Sequence, residues 1–227
     1  MTAAAVRMLH ASDVHIDDTP GGDRGLVQLV DAAVELAVDL VVLVGDTFDN
    51  RVKGDTTASF AAHLDRLRVP VVVLPGNHDP LMDGSVYHRT ELPAHVIVLR
   101  DPQGTSVVLP ALGIELWGRP HMSFADNRPL DGLPPRGEQP WQVALAHGHL
   151  VRYPEDEHRS YLIRSDEIAA CDRDYLALGH WDVQHDVSAG GVTAWYSGSP
   201  RRYATCALVT FSASPRSVHV EPVRLPG

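Results

Sequence analysis

Five places along the chain join a short apolar run to residues able to hold a cation. Asp13 and His15 follow Arg7 to Ser12, Asp46 and Asp49 follow Leu40 to Val44, and Asn77, His78 and Asp79 follow Val71 to Leu74. His147 comes directly after Val143 to Ala146, and His180 comes after Tyr175 to Leu178 and one glycine. Carboxylate, amide and imidazole donors in this mixture suit borderline divalent metals, with manganese first and iron or zinc as alternatives. Magnesium fits so many imidazoles poorly. One ion takes about four to six ligands and the candidates exceed that, so two divalent ions about 3.5 to 4 Å apart, sharing a carboxylate, are expected, with hydrolysis as their chemistry. A lone Asp or His after a strand is ordinarily a turn residue, but five strand ends repeating the pattern are not explained that way. Gly45, Gly76 and Gly179 stand where the backbone must turn sharply and come close to the ions.

The elements that must position these residues are readable in the same way. Leu26, Leu29, Val30, Ala33 and Ala37 recur at helical spacing, as do Phe60, Leu64 and Leu67. Each set therefore reads as a crossover helix between parallel strands. Strands such as Val41 to Val44 are apolar on both faces, as expected of a sheet covered on both sides. The candidate residues thus gather at the carboxyl ends of neighbouring strands, where open α/β sheets bind their ligands. After Asp79 the segments shorten: Val96 to Leu99, Val107 to Leu109, Ile114 to Trp117, Val143 to Ala146 and Tyr175 to Leu178. Thr193 to Ser197, Cys206 to Phe211 and Val218 to Val223 close the chain, and a second, partly antiparallel sheet is expected from this half. The stretch from Asn127 to Pro140, with four prolines, reads as an exposed loop.

A length of 227 residues, with 44% apolar and 21% charged residues, fits one globular domain over residues 1–227. No apolar run reaches the roughly 18 to 20 residues of a membrane span, and the start lacks the apolar stretch of a secretory signal, so a cytoplasmic location and no membrane partner are expected. Cys171 and Cys206 lack CxxC spacing and read as buried reduced thiols. A formal charge of −10 argues against a broad basic nucleic-acid face, although part of the excess belongs to carboxylates that bound metals would neutralise.

Asp13-x-His15, Gly45-Asp46-x-x-Asp49, Gly76-Asn77-His78-Asp79, His147 and Gly179-His180 together resemble the signature of calcineurin-like metallophosphoesterases. The resemblance spans most of the chain. It implies an α/β sandwich of two mixed sheets packed face to face and flanked by helices. It also implies roles: Asp13 and His15 on one metal, Asp46 bridging, and Asn77, His147 and His180 on the other. His78 would face the scissile phosphate as acid or transition-state donor, with Asp79 or Asp49 orienting its ring, while water activated by the metals attacks phosphorus in line. The family's last motif is Gly-His-x-His, and here Asp182 replaces its second histidine. A carboxylate can ligate, so Asp182 is expected on the first metal, with an outer-shell role or replacement by water as the alternatives.

The segments LHASDVHID, VVLVGDTFD, VVVLPGNHD, DYLALGHWDVQ and WYSGSPRRY narrow the resemblance to SbcD-type DNA-repair nucleases. This implies phosphodiester hydrolysis on DNA ends or single strands. Those nucleases continue into a capping domain and a segment that docks an ATPase partner, and neither is expected in a sequence that stops at Gly227. Two rival functions stay open: a phosphatase or phosphodiesterase of a small nucleotide-like phosphoester, and a non-catalytic interaction module. His149, two residues beyond His147, could touch substrate or simply pack. Arg201 and Arg202 could meet a phosphate or form a plain surface pair. The remaining histidines, His10 and His121 among them, have no such context and read as structural or exposed.

Overall fold

The computed structural model describes residues 5–49 and 52–226. The first half runs β1 (Val6–Ala11), α1 (Arg24–Glu35), β2 (Leu40–Val44), α2 (Gly54–Asp65), β3 (Val71–Leu74), α3 (Val86–Arg89) and β4 (Val96–Val98). The second half runs β5 (Thr105–Leu109), β6 (Ile114–Gly118), β7 (Trp141–His147), β8 (His149–Leu150), β9 (Leu162–Ile163), α4 (Ser165–Ala170) and β10 (Tyr175–Gly179). It ends with β11 (His185–Asp186), β12 (Thr193–Tyr196), α5 (Pro200–Tyr203), β13 (Thr205–Ala213) and β14 (Arg216–Arg224).

Two six-stranded mixed sheets result, ordered β14-β13-β1-β2-β3-β4 and β11-β12-β10-β7-β6-β5, with β8 and β9 as a separate pair. Strands β1 to β4 are mutually parallel, as are β6, β7, β10 and β12. The alternation of side chains along β2 explains the layering. Val41 and Leu43 join Leu26, Leu29, Phe60 and Leu64 under α1 and α2. Leu40, Val42 and Val44 face the other way, into an apolar layer shared with Leu116, Val143, Leu145 and Ala177 of the second sheet. The outer face of that sheet buries Ala144, Ala146, Leu176 and Leu178 with Ile168 of α4. The fold is therefore an α/β sandwich with few helices. No helix among the described residues is long and apolar enough to cross a membrane.

The sequence reading is corrected at two points. The terminal hairpin β13–β14 does not belong to the second sheet; β13 pairs antiparallel with β1, in register Met8↔Val209 and His10↔Ala207. An unpaired β1 would leave a row of buried backbone donors and acceptors unsatisfied, and β13 supplies their partners. Ala37 and Leu67 lie beyond the helices they were assigned to, since α1 stops at Glu35 and α2 at Asp65. Ala37 instead turns the chain at φ 47°. The segment 127–140 carries no strand or helix, as expected of a loop.

Candidate metal centre

The parallel strands of both sheets end on the same side, and the loops that leave them are locked to each other. Asp13 N donates to Gly45 O at 3.1 Å, His15 N to Asp46 O at 2.9 Å, and Gly148 N to Gly179 O at 3.1 Å. Four residues of the cluster have positive φ: Asp13 at 53°, His15 at 50°, Asp46 at 52° and His180 at 102°. Such conformations cost about 1 to 3 kcal/mol each and persist only where the surroundings impose them, which is characteristic of functional sites. Close packing imposes them here. A Cβ added at Gly45 would stand 2.0 Å from His147 Nδ1, and one at Gly179 would stand 2.0 Å from the Val44 carbonyl oxygen.

Three groups of donors converge. Ligand atoms of Asp13, His15 and Asp182 lie within 4.8 Å of one another, as do those of Asp46, His147 and His180, and those of His15, Asp49 and His78. Asn77 joins the second group, its Oδ1 lying 3.1 Å from both His147 Nε2 and His180 Nδ1. His147 Nε2 is also 3.2 Å from Asp46 Oδ2. On its far side His147 Nδ1 donates to Val44 O at 2.9 Å, which fixes the ring and aims Nε2 at the cluster. Sequence reasoning did not foresee that His121 Nε2 would bond the His147 carbonyl at 2.9 Å, or that Ser199 Oγ would donate to Asp13 O at 2.7 Å. The Ser199-Pro200 pair was a readable signal, because Ser before Pro marks a helix start, and Ser199 caps α5.

Asp13 and Asp46 are both 2% exposed, and the basic groups that act on them are the imidazoles of His147 and His78. Burial, reinforced by the Asp46 charge, lifts the Asp13 carboxyl to about 7. Asp46 resists the same burial because His147 faces it, and its pKa falls well below the ordinary carboxylate range. His147 is the mirror case: burial pushes its pKa down, but the Asp46 and Asp13 carboxylates prevail and raise it to about 9. Burial lowers His180 to about 3 and lowers His15 as well, so both rings stay neutral and able to ligate. A buried, acid-rich pocket whose charge is balanced only by retained protons is one that divalent cations fit, and the oxygen and imidazole donors match borderline metals.

At the rim, His78 Nδ1 lies 3.0 Å from Asp49 Oδ1, and His78 N donates to Asp46 Oδ1 at 2.8 Å. Of the two acids expected to orient His78, Asp49 is the one in contact. Asp79 is turned inward, accepting from Gly76 N at 2.7 Å, Phe48 N at 3.0 Å and Tyr87 Oη at 2.6 Å. It braces the loops after β2 and β3, and burial together with the Asp46 charge raises its pKa to about 6. His149 is engaged by its neighbours. Trp181 Nε1 donates to its Nδ1 at 3.1 Å, and its Nε2 lies 3.4 Å from Asp156 Oδ1. Arg201 is held by Asp17 at 2.6 Å and by the His15 carbonyl, so it positions the first ligand loop. Arg202 is exposed and reaches the centre only through Asp182, at 3.4 Å.

A family description, calcineurin-like phosphoesterase, matches residues 6–184. The chain is 25% identical over 248 residues to one subunit of the nuclease SbcCD from Bacillus subtilis (strain 168), covering 88% of this chain and 62% of that protein. It is 26% identical over 219 residues to the uncharacterized metallophosphoesterase YhaO of the same organism, covering 84% and 52%. It therefore spans only about half to three-fifths of the length of these curated relatives. Among solved structures, TT1561 of Thermus thermophilus superimposes with a TM-score of 0.61 at 13% identity, over 97% of this chain and 100% of that one. At that identity the likeness is one of fold.

Proposed function

The chain belongs to the calcineurin-like phosphoesterase family, whose chemistry is metal-dependent phosphoester hydrolysis, and from that premise we propose that it cleaves phosphodiesters, with DNA ends or single strands as substrates. The observation that carries this reading is the juxtaposition of two ligand groups, Asp13/His15/Asp182 and Asp46/His147/His180 with Asn77, beside a His78–Asp49 pair. In the proposed arrangement these groups would hold two divalent ions, manganese first among them, and Asp46 would be the carboxylate they share. When bound, such a pair polarises the phosphoryl oxygens and activates water. The chain's own contribution is positional. Asp49 accepts from Nδ1 of His78, which leaves Nε2 to face a phosphoryl or leaving oxygen and to donate to it when the ring carries its second proton. Val44 O fixes the His147 tautomer, and Asp79 with Tyr87 keeps the Gly76–His78 loop over the cluster.

A cavity of about 390 Å³ opens beside His78, and Met82, Val86 and Phe124 line it. Phe124 is 60% exposed. An apolar recess next to the proton donor suits an organic ester group, which favours diesters over monoesters. A second reading, a small nucleotide-like phosphoester, draws support from the net charge of −10. Retention of the ligand groups and of His78 speaks against a non-catalytic module. A cytoplasmic location is part of the proposal, and the buried free thiols of Cys171 and Cys206 agree with it. The test compares bis(p-nitrophenyl) phosphate with p-nitrophenyl phosphate in manganese, then single- and double-stranded oligonucleotides at low salt. Faster diester turnover and oligonucleotide cleavage are expected; brisk monoester turnover with no cut oligonucleotide would move the function to the small-molecule reading.

A further inference from the structure

Arg24, Arg201, Arg202 and Arg224 line a single cavity of about 650 Å³, and no acidic residue lines it with them. In a chain of net charge −10 this is a pronounced local reversal of sign. The four arginines come from three distant parts of the sequence. The first turn of α1 brings Arg24, α5 brings Arg201 and Arg202, and the end of β14 brings Arg224. Gly25 makes the approach possible, since a Cβ there would stand 3.0 Å from the Arg201 backbone nitrogen. Arg201 is partly neutralised by Asp17. Among the described residues, neither Arg24 nor Arg224 has a carboxylate within 4.0 Å, and both are exposed. Arg202 is likewise paired with Asp182, but Arg24 and Arg224 converge on the hollow with no such counter-ion among the described residues; like charges so placed repel one another, and an anion removes that cost.

One ion pair links the cavity to the metal centre. Arg202 lines it and lies 3.4 Å from Asp182, whose carboxylate belongs to the Asp13/His15/Asp182 group. Tyr203, 51% exposed, adds an aromatic face to the lining. Guanidinium groups with an adjacent aromatic ring are the chemistry that grips a single nucleic-acid strand: charge for the backbone, a flat surface for a base. We propose that this cavity is a second phosphate subsite, which holds a phosphate of the strand flanking the scissile bond. The inference rests on the phosphodiesterase reading of the metal centre and specifies its substrate as a polynucleotide rather than a simple diester. Free polyphosphate shares the chemistry and is the competing occupant.

The experiment measures binding of a fluorescent oligothymidylate by anisotropy in EDTA, where the strand is not cut, across a salt series. The full chain is compared with an Arg24→Gln, Arg224→Gln double variant and with Arg24→Lys, Arg224→Lys. Loss of the two guanidinium contacts to that phosphate should weaken binding about 10-fold or more at low salt and flatten the slope of log affinity against log salt by about 0.7. The lysine pair should restore most of the slope. Manganese-dependent turnover of bis(p-nitrophenyl) phosphate, which carries one phosphate, should be unchanged in both. The proposal is overturned if the glutamine pair binds like the parent, if diester turnover falls with it, or if tripolyphosphate binds the cavity more tightly than the strand. Absence of diester turnover in the parent would instead strike the metal-centre reading, and the anisotropy data would still decide the cavity.

Discussion

Metal uptake by this site should be coupled to proton release, and the stoichiometry follows from two buried groups. Asp13, lifted to about 7, keeps a proton below that pH, and His147, lifted to about 9, keeps one up to that pH. His180, pushed down to about 3, contributes none, and burial pushes His15 down as well. A ligand must be deprotonated to bind, so each retained proton competes with the metal, and affinity rises with pH. At pH 8 about one proton should leave per chain on saturation, nearly all from His147; at pH 6 about two should leave, one from each group. Between pH 8 and pH 6 apparent affinity should fall by roughly three orders of magnitude, about two from His147 and one from Asp13, or about 4 kcal/mol. Calorimetric titration of the metal-free protein with manganese, in buffers of different ionisation enthalpy, reads the proton count directly. Release of fewer than about 0.3 protons at both pH values, or an affinity independent of pH, would refute the electrostatic argument.

His78→Ala should leave metal content intact and lower kcat about 10²-fold, while Asp49→Asn should lower it less, about 10-fold, because the ring stays but loses its orienting acceptor. Equal turnover in parent and His78→Ala would remove the role given to that ring. Asp182→Ala should weaken one of the two metals and Asp182→His should bind it at least as well, as read by metal content after dialysis; unaltered content in Asp182→Ala would take Asp182 off the metal. Tyr87→Phe removes the 2.6 Å bond to buried Asp79 and should cost about 1 to 3 kcal/mol, lowering Tm by about 2 to 4 °C per kcal/mol. A Tm unchanged in a thermal scan would mean that Asp79 does not depend on that bond.

Much of the centre was legible because its information is local. A run such as VVLVGD states a two-face-buried strand, a turn and a carboxylate in six residues, and parallel neighbours put such turns on one side by geometry alone. The role of Asp79 was not legible. Asp79 is next to His78 in sequence and Asp49 stands 29 residues before it, yet Asp49 makes the contact, because Tyr87 and Phe48 bind Asp79 and turn it inward. The contacts of His149 and Arg201 were not legible either, because their partners, Trp181 and Asp17, are 32 and 184 residues away. The terminal hairpin shows the limit for strands. The alternation along β13 gives its faces but not its neighbour, and its pairing with β1 closes across about the whole chain. Positive φ at Asp13, His15, Asp46 and His180 left only a weak trace in residue type: Asp and His adopt it more often than most side chains, but glycine would have been the strong signal.

The central claim is that these strand ends hold two metal ions that share Asp46. Anomalous diffraction from crystals grown with manganese, recorded above and below its absorption edge, tests this most directly. The account predicts two peaks per chain about 3.5 to 4 Å apart, one among Asp13, His15 and Asp182, the other among Asn77, His147 and His180, with Asp46 between them. One peak alone under metal-replete conditions, or two peaks that do not share Asp46, would contradict it.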